Sequence, residues 1–454
     1  MKLKLICLLA FLLFLPAIGN YFSHDDFFNL LLGRANGVGD VLRFFDPIHA
    51  PERVGSYRPL TTQIYFLVSH FFNQSPLPLH IIAFLVFFVD IFLVYKLTKM
   101  LLTQEKPALI AAFLYAVSNT HFAHLYWPSL FQETGLIFFF LLSVVLFLDK
   151  HFFWSFLAMI GGLMSKETAI MIPIVLTLVV FLQNKWSQVW KLIPYYFTTG
   201  VFLFVHLVFF GLPPGSVYTL DFSAKVLNTL MWYGLWAFNL PEMFVDFVGP
   251  GLRLNPNLLR FYGFEVTAIM VGFLATIVGL IFSWRRPTTK FALFCLGWFI
   301  ATLLPVIFLP WHKFTYELGV PLVGLVFLLA WFLTKTSRRV MIFFCLAWLA
   351  TSWLTLQLTA RTHWITQGPP IAKRVERYFV ANEKLVSKNV VFYDTADDIS
   401  LPWSPANEVK INLSDQDFFE VYYPGRFTVT YLQKTPEKFE PETSYIPARQ
   451  FLGY

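Results

Sequence analysis

Residues 78–98, PLHIIAFLVFFVDIFLVYKLT, decide the fold. A helix of about 20 apolar residues crosses the roughly 30 Å of hydrocarbon in a bilayer. This stretch has that length, and Asp90 is its one charge before Lys96. Similar runs lie near 3–21, 107–122, 130–148, 153–164, 167–184, 192–211, 264–283, 291–309, 314–334 and 340–359, those at 107–122 and 153–164 being short. Over all 454 residues, 57% are hydrophobic, 19% aromatic and 13% charged, with a mean hydropathy of +0.61. A soluble domain is about a quarter charged, so a water-soluble protein is excluded. The expectation is an all-α polytopic membrane protein of eleven transmembrane helices.

Charge orients these helices. With the amino terminus in the cytoplasm, Lys2, Lys4, Lys96, Lys99, Lys106, Lys150, Lys185, Lys191, Arg285, Arg286, Lys290, Lys335, Arg338 and Arg339 fall inside, with only Glu105 and Asp149 as acids. The outer loops before residue 361 carry nine basic and twelve acidic residues. This is the positive-inside pattern, and the odd count puts the carboxyl terminus outside. The net charge of +7 therefore reflects membrane orientation, and with no basic tract present nucleic acid is not an expected partner. Lys2, Lys4 and Ala17-Ile18-Gly19 also fit a cleaved signal peptide, although signal cores run roughly 7–15 residues and this one is slightly longer.

The expected domains are a membrane unit over 1–360 and a small extracytoplasmic α+β unit over 361–454. In the latter, Asn389–Phe392 and Arg426–Tyr431 alternate as strands do. Two long outer loops, 22–77 and 212–263, contain Phe27–Leu32, Pro59–Phe72 and Val226–Phe238, which fit helices lying on the membrane surface.

Polar clusters gather on the outer side. Ser23-His24-Asp25-Asp26-Phe27 places adjacent carboxylates just after the first run, where they repel unless a proton or cation intervenes. The same residue types also suit a solvated helix start. Arg34, Arg43, Arg53 and Arg58 follow, the last within Ser56-Tyr57-Arg58-Pro59-Leu60-Thr61-Thr62. His121, His124, Trp127 and Glu133 mark the next outer turn, Ser165-Lys166-Glu167-Thr168 another, and Trp311-His312-Lys313-Phe314-Thr315-Tyr316-Glu317 the last. Each cation could alternatively snorkel to lipid headgroups.

This ordered set resembles the GT-C superfamily of integral-membrane glycosyltransferases, more closely the branch with protein O-mannosyltransferases and related bacterial enzymes. The likeness rests on His24-Asp25-Asp26, Tyr57-Arg58-Pro59-Leu60-Thr61, His121 with Trp127 and Glu133, Ser165-Lys166-Glu167 and the Lys313–Pro321 stretch, and covers roughly residues 1–334. It implies transfer of a sugar, most simply a mannose-like hexose, from a polyprenyl-phosphate-linked donor to a hydroxyl of a protein, lipid or glycan outside the cytoplasm. It implies Asp25 as general base, with Asp26 the second choice. Chemistry agrees: an acceptor hydroxyl needs a carboxylate to take its proton. The leaving phosphate needs fixed cations, for which Arg58, Lys166 and Lys313 are candidates. His24, Tyr57, His121, Glu133, Glu167 and His312 are supporting candidates. The chain departs from the family in Phe131-Gln132-Glu133, where relatives often carry a basic residue before the acid. It departs again in Lys313-Phe314-Thr315-Tyr316, where an Arg-Tyr pair is frequent.

No cofactor is expected; a divalent cation at Asp25/Asp26 is chemically compatible. The histidines lack zinc-ligand spacing, and Cys7, Cys295 and Cys345 sit in apolar runs as packing residues. Asp90, roughly 16 Å into its run at 1.5 Å per residue, is expected to make a structural polar contact with Tyr115 or Ser118. Asn73 and Asn412 head glycosylation sequons, the first weakened by Pro76. The rival function, a transporter or flippase of lipid-linked glycans, predicts polar residues through the bilayer depth and inverted repeats, neither of which the sequence has beyond Asp90.

Overall fold

A computed structural model describes residues 2–47, 56–211, 215–249, 251, 253–285 and 287–453. Arg53 and Arg286 lie outside the described residues. In hydrocarbon every backbone polar group must be satisfied within the chain, and all eleven apolar runs are helical. Six helices are long and apolar enough to cross a membrane: Leu77–Leu102, Pro128–Leu148, Trp186–Phe209, Asn257–Ser283, Thr289–Ile307 and Arg338–Asn382. The pair Glu105–Ala116 and Asn119–Tyr126, bent by 50°, makes a seventh if taken as one span. The bend is held by Asn239, whose Oδ1 accepts from Ser118 Oγ at 2.9 Å and Asn119 N–H at 2.8 Å. The expected count of eleven thus divides. Leu3–Gly19, Phe152–Leu163, Glu167–Gln183 and Pro321–Thr334 are apolar but shorter, reaching about 18–26 Å at 1.5 Å per residue.

The first helix is part of the core. Ile6, Ala10, Phe14 and Ala17 are fully buried, and Phe11 and Phe14 meet Phe84 and Phe87 edge-on at 5.5 and 6.2 Å. Asp90 makes neither expected contact. Tyr115 donates to Gly319 O and Ser118 to Asn239, leaving both fully buried Asp90 oxygens without a hydrogen-bond partner among the described residues.

Beyond a helix break at His363, the chain forms Trp364–Asn382 and a three-stranded parallel sheet. Asn389–Tyr393 is central, with Asn389 opposite Thr428 on one side and Thr443 on the other. The expected strands lie within two residues of those observed. Thr443–Pro447 was not expected: a strand ending in proline survives because it lies at the sheet edge. Parallel neighbours need a crossover connection, and Pro405–Asn412 and Asp417–Tyr422 lie in the one that joins Asn389–Tyr393 to Thr428–Leu432.

These crossover helices cover the first outer loop. Phe27 meets Phe418 at 5.1 Å, Tyr21 and Tyr422 share a 2.7 Å hydroxyl contact, and Arg34 donates to Glu420 O and Val421 O. The Asp25–Leu32 helix is therefore sandwiched, not laid on a membrane surface, and its Asp26, Phe27 and Leu30 are fully buried. Asn412 is buried in the same contact, its amide donating to Glu408 O at 2.8 Å, so that sequon is closed to modification in the folded chain. The contact is tight at Gly368. A Cβ there would lie 2.0 Å from Asn412 Oδ1 and 2.7 Å from His24 Cε1. Gly368→Ala should cost about 1–3 kcal/mol of overpacking, read as a lower melting temperature of the purified protein; an unchanged melt would show that this interface yields freely.

Candidate active site

The adjacent acids follow a strained residue. His24 adopts φ 56°, a left-handed conformation costly for a non-glycine residue. Three contacts hold it: its N–H donates to Asn412 O at 3.0 Å, and its ring lies 4.7 Å from that of Trp364 and 6.4 Å from that of Trp127. The helix then starts with both acids in its first turn, where the dipole favours negative charge. Asp26 turns inward. Its Oδ2 accepts from Ser23 N–H at 2.9 Å, and its Oδ1 accepts from Ser129 N–H at 2.9 Å and Ser129 Oγ at 2.5 Å. Asn29 completes the network by donating to Ser129 Oγ. Asp26 thus fastens the 22–77 segment to the turn at Ser129.

Asp25 opens instead into a cavity of about 260 Å³, lined also by Arg58, Gln63, Trp127, Ser129 and Gln132. Its side chain is exposed where this recess opens. Protein on every other side raises its carboxyl pKa by desolvation, a rise that Arg58 opposes and Asp417 reinforces. Arg58 is itself fixed: Nε and Nη2 grip Glu167 at 2.7–3.1 Å, and Nη1 donates to Gln132. Burial alone would lower its pKa, but Glu167 more than offsets that. A guanidinium from another loop thus reaches Gln132, the residue before Glu133.

Local folding brings these loops together. After Arg58, Pro59–Ile64 winds as a π-helix, a geometry frequent at functional sites. Thr61 Oγ1 donates to Ser165 O at 2.8 Å and Leu60 N–H to Met164 O at 3.3 Å. Gly135 permits the approach, since a Cβ there would lie 2.4 Å from Thr61 Cγ2. Lys166, 7% exposed, follows directly. It donates to Glu133 and to both oxygens of Glu317 at 3.1 and 3.0 Å. Its three N–H bonds are thereby used, so it is not free to bind a phosphate as expected; the glutamates keep it charged despite burial.

Lys313 does not join Asp25. It lines a second cavity of about 1110 Å³ with Lys225, Glu242, Asp246, Trp311 and Trp364, donating to Pro310 O at 3.0 Å. The cavities adjoin at an aromatic wall, where Trp127 of the first meets Trp364 of the second at 4.7 Å. Of the supporting candidates, Glu133 and Glu167 belong to the ionic cluster. His24 stands in the wall, and His312 packs 4.5 Å from Tyr218. Tyr57 donates to Phe45 O at 3.0 Å. His121 is buried against Tyr115 O at 3.0 Å and His124 at 3.4 Å, away from either cavity lining. Ser129, Gln132, Trp364 and the Glu242–His363 pair, 3.2 Å apart, were not expected from sequence; only the unusual Gln132 offered a signal. Among the described residues no three His, Cys, Asp or Glu side chains group to hold a metal ion.

No protein-family profile matches the chain, and no curated protein matches it. Among solved structures it is similar to the Archaeoglobus fulgidus oligosaccharyltransferase in complex with zinc and sulfate, at 13% identity and a TM-score of 0.47, covering 96% of this chain and 62% of that one. It is also similar to that protein tethered to an acceptor peptide containing the NVT sequon, at 12% identity and a TM-score of 0.41, covering 96% and 64%. The chain spans less than two thirds of the length of these neighbours.

Asp26 makes stability depend on pH. Burial pushes its carboxyl up to about 7, against the opposing bonds from Ser129 and Ser23. An acid whose folded pKa exceeds its unfolded value, about 3.9 for Asp, binds its proton more tightly when folded. Its contribution is full below the unfolded pKa and is lost as pH rises towards and through 7. The melting temperature should therefore fall between about pH 4 and 7, and Asp26→Asn should flatten that part of the curve. An equal slope in the variant would assign the dependence to another group.

Proposed function

We propose that the protein is a multi-pass membrane glycosyltransferase of the GT-C type. It moves a sugar, most simply a mannose-like hexose, from a polyprenyl-phosphate-linked donor to a hydroxyl of a protein, lipid or glycan on the extracytoplasmic face. The observation that carries this reading is Asp25, a carboxylate open to a cavity and facing an immobilised Arg58 while its neighbour Asp26 is sealed in the protein. One acid is thereby left available for proton transfer. The apolar helices support lateral access for a lipid-linked donor, and the positive-inside pattern supports a position of the acids at the outer leaflet.

In the proposed reaction the acceptor oxygen attacks the anomeric carbon and its proton passes to Asp25. The bond from that carbon to the phosphate oxygen breaks, and its electron pair stays on the phosphate. A raised carboxyl pKa strengthens the base. Lys313, with Lys225 in the adjoining cavity, supplies positive charge where the leaving phosphate gains negative charge. Arg58 orients the sugar side of the cavity near Asp25. The carboxyl-terminal unit shapes the acceptor entrance through its hold on His24.

Purified protein assayed with a panel of polyprenyl-phosphate sugars should transfer or hydrolyse one of them. Asp25→Asn should lower turnover about 10²–10⁴-fold, the range of general-base catalysis, without shifting the melting temperature. Undiminished transfer in that variant would remove Asp25 from the base role.

A further inference from the structure

Glu133 and Glu317 present a problem that the fold must solve. Glu133 lies in the first turn of Phe131–Leu148 and Glu317 in the Thr315–Leu318 turn. Their side chains are only 4% and 7% exposed. Two carboxylates so enclosed cannot both stay ionised without a cation between them. The Lys166 ammonium provides it, touching Glu133 once and Glu317 through both oxygens, with the Tyr316 ring 6.0 Å away. Three carboxylate oxygens converging on one point would also supply part of the oxygen shell of a hard divalent ion, water completing it.

We infer that Lys166 is an internal substitute for a divalent cation, holding the two glutamates in a geometry that would otherwise recruit a metal ion. Its effect reaches the cavity through its neighbour in sequence. Glu167 clamps Arg58, and Arg58 lines the same recess as Asp25. With Lys166 present, Arg58 and Lys166 together balance all but one charge of Glu133, Glu167 and Glu317. Without it, two buried negative charges remain uncompensated, a state that is relieved by binding a proton or an ion. Lys166 is thus a positioning residue, acting on Arg58 through the loop it anchors.

The inference deepens the proposed reading of this site, but one arm of its test does not depend on that reading. Full-length protein and Lys166→Ala, both stripped with EDTA, are titrated with Mn²⁺ and free ion is followed by electron paramagnetic resonance. The wild type should bind no Mn²⁺ tightly. Lys166→Ala should take up one equivalent with a rise in melting temperature, and Lys166→Ala/Glu317→Gln should lose it. Failure of a folded Lys166→Ala to bind Mn²⁺, or tight binding by the wild type that Glu133→Gln abolishes, overturns the inference. In the second arm, EDTA should leave wild-type transfer unchanged; loss restored by Mn²⁺ overturns the inference even if Lys166→Ala does not fold. Absence of transfer with every donor would sink the glycosyltransferase reading while the Mn²⁺ titration still decides the role of Lys166.

Discussion

The site depends on a single constraint: charge removed from water must be neutralised within the protein. At an effective interior dielectric well below that of water, an isolated buried charge costs several kcal/mol. Four segments distant in sequence are therefore bound to one another through Arg58, Glu133, Lys166, Glu167 and Glu317. Breaking any pair would strand a charge, so the network fixes where the loops lie more firmly than apolar contact could. Buried ion pairs are weak evidence for net stability; their contribution here is to register. The partners of Lys166 lie 33 and 151 residues away, and Arg58 joins Glu167 across 109.

Within that frame, environment alone separates two adjacent identical side chains. Asp26 receives three hydrogen bonds and no open space, whereas Asp25 meets open space and one distant cation. Helix geometry performs the separation, since consecutive residues of Asp25–Leu32 point about 100° apart at 3.6 residues per turn, and the strained turn at His24 sets where that helix begins. Strain of this kind persists only where surroundings over-determine it. Here the surroundings are Asn412, Trp127 and Trp364, two of them contributed by the carboxyl-terminal portion of the chain.

The sequence revealed what depends on local composition. Apolar runs are legible because bilayer thickness imposes length without reference to partners, and Asn389–Tyr393 is legible because a short run of β-branched and aromatic residues suits a central strand whose Val390, Val391 and Phe392 are all buried. Clusters such as Lys166-Glu167 were visible as chemistry, but not as pairs. The span of Lys313 to Glu317 shows why. Four residues apart, they read as one outer cluster, yet the turn at Thr315–Leu318 sends Glu317 to Lys166 and leaves Lys313 in the other cavity. Asp90 was misjudged for the opposite reason: Tyr115 and Ser118 lie at suitable depth, but backbone and amide groups elsewhere claim their hydroxyls first.

The division into two cavities bears on how an anionic donor would approach a carboxylate base. Around Asp25 the cations are already committed to glutamates, so the recess offers little attraction to a phosphate. The larger cavity differs: Lys313 contacts a carbonyl there, not a carboxylate, and Lys225, held by Asp221 at 2.8 Å, lies 5.2 Å from the Trp311 ring. Under the proposed reaction this division places the phosphate on the far side of the Trp127–Trp364 wall, with the sugar bridging towards Asp25. Negative charge then develops away from the base, and the base keeps its affinity for the acceptor proton. An arrangement that bound phosphate beside Asp25 would instead require Arg58 to release Glu167, exposing the buried charge on which the loop geometry rests.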